Sequence, residues 1–268
     1  MTSTDRPASR SQRFAKPRMT HWAARQGYMV SRTPERIDFN YGHALLLEAS
    51  PAERGVDYWL GRWLLEQQST ECDRAFLLWE ETGRSTEQPA WFSALDEASQ
   101  LYINHCLGFD GRSPLPRALP PESIEIRPFS GDGDWRQAVE LTANINDDGG
   151  FFATERAYWL YEGYRELVQG GEGEWLGAFA DAKLVGALGL IRGENEARFQ
   201  DVLTHADHRR RGICSALLRT AIARYREECG PCPVYILAKS GADSERLYTR
   251  FGFTTRTTFF ELAIPVER

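Results

Sequence analysis

Residues Val202 to Leu218 read VLTHADHRRRGICSALL, and the reading of this stretch decides the fold. A strand ends at Thr204, a short basic turn follows, and Gly212 stands where an amphipathic helix begins. That helix is expected to run to about Glu228, because Leu217, Leu218, Ala221, Ile222 and Tyr225 recur at helical spacing and mark one buried face. Backbone N–H groups in the first turn of a helix have no intrahelical acceptor and converge on one spot, where the helix dipole adds positive potential. Such a spot suits a phosphate. Gly212 lets the backbone approach an anion closely, and Arg209, Arg210 and Arg211 add formal charge beside it.

Working outward, Ile124 to Phe129 reads as a strand and Asp134 to Asn144 as a helix. The run Asn144 to Gly150 is a turn-rich break, followed by a helix over about Thr154 to Gln169. Trp175 to Ala180 and Leu184 to Arg192 form a hairpin across Asp181-Ala182-Lys183, and Arg198 to Thr204 is the next strand. After the helix from Gly212, Val234 to Ala238 is a strand, Asp243 to Arg250 a short helix and Thr258 to Ile264 a last strand. The order is β-α-α-β-β-β-α-β-α-β.

Upstream, Gly111 to Glu122 (GRSPLPRALPPE) carries four prolines and reads as a linker over residues 111–122. It separates a main domain, 123–268, from a smaller α/β subdomain, 21–110. Within the latter, Ile37 to Leu47 holds a strand, Asp57 to Gln67 a helix packing Trp59, Leu60, Trp63 and Leu64 inward, and Ala75 to Trp79 another strand. No internal repeat is visible residue by residue.

The chain has 268 residues, 42% hydrophobic and 26% charged, which excludes collagen-like, disordered and disulfide-scaffold classes. No apolar run approaches the roughly 18–20 residues of a membrane span, so no membrane partner is expected. The net charge is −6, yet residues 1–35 alone sum to +5, leaving −11 for the remainder. An acidic body argues against nucleic acid as partner for the arginine triplet, and recognition of one small phosphate-bearing molecule is the better reading. The basic leader, residues 1–20, is expected to be a mobile tail; a transit peptide is the alternative. Five cysteines, an odd number without a secretory signal, point to reduced thiols and a cytoplasmic location.

The segment Arg209-Arg210-Arg211-Gly212-Ile213-Cys214 resembles the acyl-CoA signature of the GNAT N-acetyltransferases, Gln/Arg-x-x-Gly-x-Gly/Ala, with Cys214 at the last place. About thirty residues on, Leu247-Tyr248 followed by Gly252-Phe253 is similar to that family's second signature. The element order from Ile124 matches the same fold, a mixed, centrally splayed α/β sheet, over about residues 123–266. Arg32-Thr33-Pro34 and Tyr41-Gly42-His43-Ala44-Leu45-Leu46 further resemble a bacterial subgroup whose N-terminal half is divergent, which would make residues 21–110 a degenerate GNAT-like half.

The resemblance implies acetyl-CoA as co-substrate and a small-molecule amine or peptide as acceptor, attacked directly with no acyl-enzyme and no metal. Val202, Leu203 and Thr204 would offer backbone groups to the pantetheine arm and thioester, and the amides of Arg210 to Ser215, with Gly212, Ile213 and Cys214 between, would hold the pyrophosphate. Tyr248 would protonate the leaving thiolate, a task that suits a neutral phenol. The family's usual base on the central strand is replaced: the inward positions are Arg198 and Gln200, neither a base. Asp147 and Asp148 are substitutes only by their place in the loop, and an acyl-CoA-binding sensor without turnover stays open as a second reading. Gly241 stands where the family commonly has an Asn.

Three other signals carry less. Cys229-Gly230-Pro231-Cys232 has the spacing of a redox motif but follows its helix, so Gly230 and Pro231 read as helix-stop residues. His205 and His208 lack a third metal ligand nearby. Phe151, Phe152, Trp159 and Tyr161 flank the loop where the family binds its acceptor, with core packing as their plainer reading.

Overall fold

A computed structural model describes residues 6–145 and 154–267. The N-terminal half contains α1 (Pro7–Ala15), β1 (His21–Arg25), β2 (Tyr28–Arg32), β3 (Ala44–Leu47), α2 (Val56–Glu66), β4 (Arg74–Thr82) and β5 (Gln100–Phe109). The C-terminal half contains β6 (Glu125–Pro128), α3 (Asp132–Ile145), α4 (Thr154–Gln169), β7 (Gly173–Ala180), β8 (Lys183–Arg192), β9 (Ala197–Thr204), α5 (Ile213–Cys229), β10 (Val234–Lys239), α6 (Asp243–Phe251) and β11 (Thr254–Pro265). The C-terminal order is the one the hydrophobic periodicity predicts. Asp181 and Ala182, both with positive φ (47° and 65°), make the tight β7–β8 turn, whose twist matches that of the strands it joins.

All strands join one sheet in the order β1-β2-β3-β4-β11-β5-β10-β9-β8-β7-β6. The two halves are therefore interleaved. β5 runs antiparallel between β10 (Val234 opposite Phe109 through Lys239 opposite Asn104) and β11, while β11 pairs on its other edge with β4. Each half repeats one connection: antiparallel hairpin, antiparallel strand, helix, parallel strand, as β1-β2-β3-α2-β4 and β7-β8-β9-α5-β10. Each then gives its next strand to the other half. The repeat is one of topology, which residue-level comparison does not detect.

The copies differ where it matters. β3 pairs with β4 from Ala44 through Leu46, but β9 pairs with β10 only at Ala197 and Arg198 before the two strands part. The second helix in each case begins after a left-handed glycine, Gly55 (φ 89°) or Gly212 (φ 79°). The turn before Gly55 carries Glu48, Glu53 and Arg54, whereas three consecutive arginines, Arg209 to Arg211, precede Gly212. Among the described residues, a cleft therefore opens where β9 and β10 part.

Two expectations are corrected. Over Pro7–Ala15 the basic leader is a helix, not a mobile tail, with Ala8, Ser11, Gln12 and Ala15 buried. The Glu80 carboxylate accepts from the Ala8 and Ser9 amides at 3.0 and 2.7 Å, a negative charge at the helix N-terminus. Its cations meet the acidic body: Arg10 pairs with Glu196 and Arg18 with Glu172. The helix lies across the central strands on the face shared with α3 and α4, while α2, α5 and α6 cover the other. The second correction concerns α2, which buries Trp59 and Trp63 but leaves Leu64 40% exposed. The strand expected over Ile37–Leu47 is confined to Ala44–Leu47.

Candidate active site

The turn from β9 to α5 has the geometry that the sequence anticipates. The first hydrogen bond of α5 is donated by Ala216 to the Gly212 carbonyl at 2.9 Å, so the amides from Gly212 to Ser215 precede any intrahelical acceptor. Gly212 (φ 79°) and Arg210 (φ 61°) both adopt left-handed backbone, which turns the chain sharply into the helix. A Cβ at Gly212 would meet only the Leu119 carbonyl, at 4.0 Å, leaving the approach open. Arg209 donates Nε to the Thr204 carbonyl at 3.2 Å, while the Arg210 and Arg211 side chains are exposed. Val202, Leu203 and Thr204 are half-buried and lie where β9 has left β10.

Tyr248 sits on α6, buried at 5% exposure, and packs on Phe253 with ring centroids 6.1 Å apart. Its hydroxyl makes no hydrogen bond among the described residues. Burial, with a smaller contribution from Cys214 nearby, pushes the phenol well above its usual range, so it stays protonated. Burial also pushes the Cys214 thiol up to about 12, which removes it as a nucleophile at neutral pH. Gly241, also left-handed, donates its amide to Glu245 Oε2 at 2.7 Å, which fixes the entry to α6.

On the α1 face, a cavity of about 480 Å³ opens beside β9. Arg198, Gln200 and Asp201 all line it, although strict alternation would send Asp201 to the opposite face. The register shift opposite Leu188 explains this. Ala187 faces Leu203 and Gly189 faces Gln200, so Asp201 and Val202 share one partner in a β-bulge, with Asp201 at φ 44°. Burial pushes the Asp201 carboxyl up to about 6, its own backbone amide opposing. Sequence reading missed this residue because nothing in ARFQDVLT announces the bulge.

The remaining walls come from both halves and from α1. Lys16 donates Nζ to the Tyr41 carbonyl at 2.7 Å and lies 4.2 Å from that ring. Burial pulls Lys16 down to about 7, with Glu261 raising it and Arg198 lowering it. Tyr41 donates its hydroxyl to Glu261 Oε1 at 3.0 Å. Burial raises the Glu261 carboxyl, and Tyr41, Lys16 and Arg198 oppose that shift. Gln200 donates to the Ala15 carbonyl at 2.6 Å and Arg198 to Ser11 Oγ at 3.1 Å, tying the cavity floor to the helix above it. Phe39, Phe76, Leu160 and Tyr164 supply apolar surface.

The other sequence signals resolve as follows. Asp147, Asp148, Phe151 and Phe152 lie outside the described residues. Tyr161 is core, bonded to Thr142 at 2.9 Å, and Trp159 stacks edge-on against Phe39; neither lines the cavity. Cys229 ends α5, Gly230 caps it with φ 76°, and the described cysteines are free. His205 Nδ1 accepts from the Asp207 amide at 3.3 Å, which is turn chemistry. No helix among the described residues is long and apolar enough to cross a membrane.

Residues 139–253 match the sequence profile of the acetyltransferase (GNAT) family. No curated protein matches the chain. Among solved structures, the chain is similar to a functionally unknown conserved protein from Staphylococcus epidermidis ATCC 12228 (TM-score 0.68, 9% identity, covering 91% of this chain and 93% of that one). It is also similar to a GCN5-related N-acetyltransferase from Kribbella flavida (TM-score 0.64, 14% identity, 97% and 94% covered). A third likeness is to a tandem GNAT protein from the clavulanic acid biosynthesis pathway (TM-score 0.60, 12% identity, 94% and 85% covered). At these identities the likeness is one of fold, and it extends across both halves.

Proposed function

The chain belongs to the GNAT superfamily through residues 139–253, and from that premise we propose that it transfers an acetyl group from acetyl-CoA to a primary amine. The observation that carries this reading is the position of Asp201: it lines the cavity on one side and directly precedes Val202, where β9 parts from β10. The open amides from Gly212 to Ser215, with Arg209, Arg210 and Arg211 beside them, fit a pyrophosphate. Val202, Leu203 and Thr204 would hold the pantetheine arm and polarise the thioester carbonyl through backbone groups.

Asp201 takes the proton from the incoming ammonium, freeing the lone pair that attacks the thioester carbonyl carbon. Its raised pKa suits a base near neutral pH. Tyr248 gives its proton to the departing sulfur as the C–S bond breaks, the nitrogen releases its second proton, which by way of solvent restores the phenol, and the amide product keeps the acetyl group. Cys214 takes no part. In this reading residues 21–110 are a degenerate GNAT-like half that lost the cleft and kept the sheet. Asp201 supplies a base where sequence reading found none, and that lack was the ground for a sensor without turnover.

Release of CoA thiol from acetyl-CoA, measured with a panel of amines, amino acids, polyamines and short peptides, tests the proposal. At least one amine should release CoA above the hydrolysis background. Acetyl-CoA binding without any amine-dependent release would return the chain to the sensor reading.

A further inference from the structure

Arg198 is 5% exposed and lines the cavity, yet no carboxylate pairs with it among the described residues. Its Nη1 donates to Ser11 Oγ, and its buried Nε has no hydrogen-bond partner among the described residues. A buried guanidinium whose hydrogen bond goes to a hydroxyl is costly, because the Glu261 carboxylate whose charge it feels across the cavity is bonded to Tyr41 and not to it. Asp201 presents the opposite case in the same cavity: no side chain among the described residues donates to its carboxylate. The other two charges are already engaged, Lys16 with the Tyr41 carbonyl and Glu261 with the Tyr41 hydroxyl. The cavity thus leaves open one cation and one anion, with aromatic and aliphatic surface from Tyr41, Phe76, Leu160 and Tyr164 around them.

We propose that the acceptor is an amino acid with an apolar side chain, its carboxylate bound by Arg198, its amine delivered to Asp201, and its side chain packed among those rings. The assignment rests on the transfer reading above. A plain amine or a polyamine would leave the guanidinium unpaired in the filled site. A peptide N-terminus would do the same, since its carboxylate lies at the far end of the chain. A cavity of about 480 Å³ falls within the usual range for small-molecule sites and accommodates an aromatic amino acid. Bidentate pairing of a carboxylate is the task for which a guanidinium is shaped.

The test compares L-phenylalanine, L-tyrosine, L-leucine and L-methionine with their four amides, which keep the amine and side chain but lack the carboxylate. With the full chain and acetyl-CoA, at least one acid should be acetylated with kcat/KM tenfold or more above its amide. Arg198→Gln should collapse that preference at least fivefold, and Arg198→Lys should retain part of it. Amides that equal or exceed their acids in all four pairs would overturn the assignment, as would an unchanged preference in Arg198→Gln. Should none of the eight compounds be acetylated, calorimetric titration of the same compounds into the full chain decides. An acid binding at least tenfold tighter than its amide upholds the ligand assignment and places the failure in the transfer reading; equal binding, or none, overturns the assignment itself.

Discussion

His105 Nδ1 lies 2.6 Å from Glu245 Oε1, so strand β5 of the N-terminal half is bonded directly to the helix that carries Tyr248. The other ring nitrogen lies 2.7 Å from the Ser85 carbonyl, and His105 is fully buried. Burial works against ionisation of Glu245, but the Gly241 amide, His105 and Arg84 outweigh it and hold the carboxyl below its usual range. His105→Phe should cost about 1–3 kcal/mol, because a buried carboxylate loses one of its donors. Urea unfolding measures the loss; a midpoint unchanged from the parent would show that the contact is dispensable. A lowered carboxyl stabilises the fold above its unfolded-state pKa, and that contribution is lost as pH falls through the folded-state value.

A fragment beginning at Pro121 lacks β4 and β5, which leaves β10 with one unpaired edge and β11 with neither of its partners. Exposed central edges template aggregation. The fragment should be insoluble or bind ANS strongly where the full chain does not. Parental solubility with parental kinetics would show that the halves fold and act alone.

The C-terminal elements were legible because their apolar patterns are long and clean. α5 repeats its apolar face from Ile213 to Tyr225, and the strands β7 and β8 are near-continuous apolar runs, buried on both faces, joined by a two-residue turn. The N-terminal half was not, because its elements depend on partners distant in sequence. β5 contains Asn104, His105 and Cys106 amid apolar residues, and only its place between β10 and β11 leaves Asn104 half-buried and buries His105 and Cys106. Likewise Pro7 to Ala15 has low intrinsic hydrophobicity and becomes a helix through Glu80 at its N-terminus and Glu196 beside Arg10. At the candidate site, the glycine turn could be read from the residues around Gly212, and Tyr248 only from the resemblance that its motif carries. Asp201 could not, since a bulge is set by the cross-strand register.

Gly212→Asp should weaken acetyl-CoA binding more than tenfold, about 1.4 kcal/mol, by placing a carboxylate at the amides that would hold the pyrophosphate. Backbone strain at φ 79° accompanies most substitutions here. Gly212→Asn is the control, because Asn tolerates left-handed backbone and is neutral. It should bind more tightly than the Asp variant by calorimetry; equal losses would trace the effect to strain, not charge.

Tyr248→Phe keeps the ring and its contact with Phe253 and removes only a hydroxyl with no hydrogen bond among the described residues. Stability should therefore change little. General acid catalysis is worth roughly 10²–10⁴-fold, and a thiolate is a good leaving group, so kcat should fall toward the lower end of that range. Acetyl-CoA affinity should stay within a factor of two or so of the parent, since the lost interaction is made mainly in the transition state. A parental kcat would remove Tyr248 from the chemistry, and parallel losses of rate and affinity would make it a binding contact.

Asp201 carries a pH signature of its own. Burial raises its carboxyl from the usual range to about 6, so the base is ionised, and active, only above that value. For the parent chain kcat/KM should rise with pH through about 6 and then level, until the amine or Lys16, pulled down to about 7, titrates. Asp201→Asn removes the base while keeping size and polarity; kcat/KM should drop by roughly 10²–10⁴-fold, the range for loss of general base catalysis. The rise near pH 6 should vanish with it. The same shift makes a stability prediction of opposite sign. Between about 4 and 6 the folded protein holds a proton that the unfolded chain releases, so this group's contribution to stability falls as pH rises through that window. Asp201→Asn should abolish that slope in urea midpoints between pH 4 and 6. A variant that kept the acid limb in kcat/KM would assign the ionisation to another group in the cavity, and a variant with parental rates across the pH range would show that the proton leaves by another route.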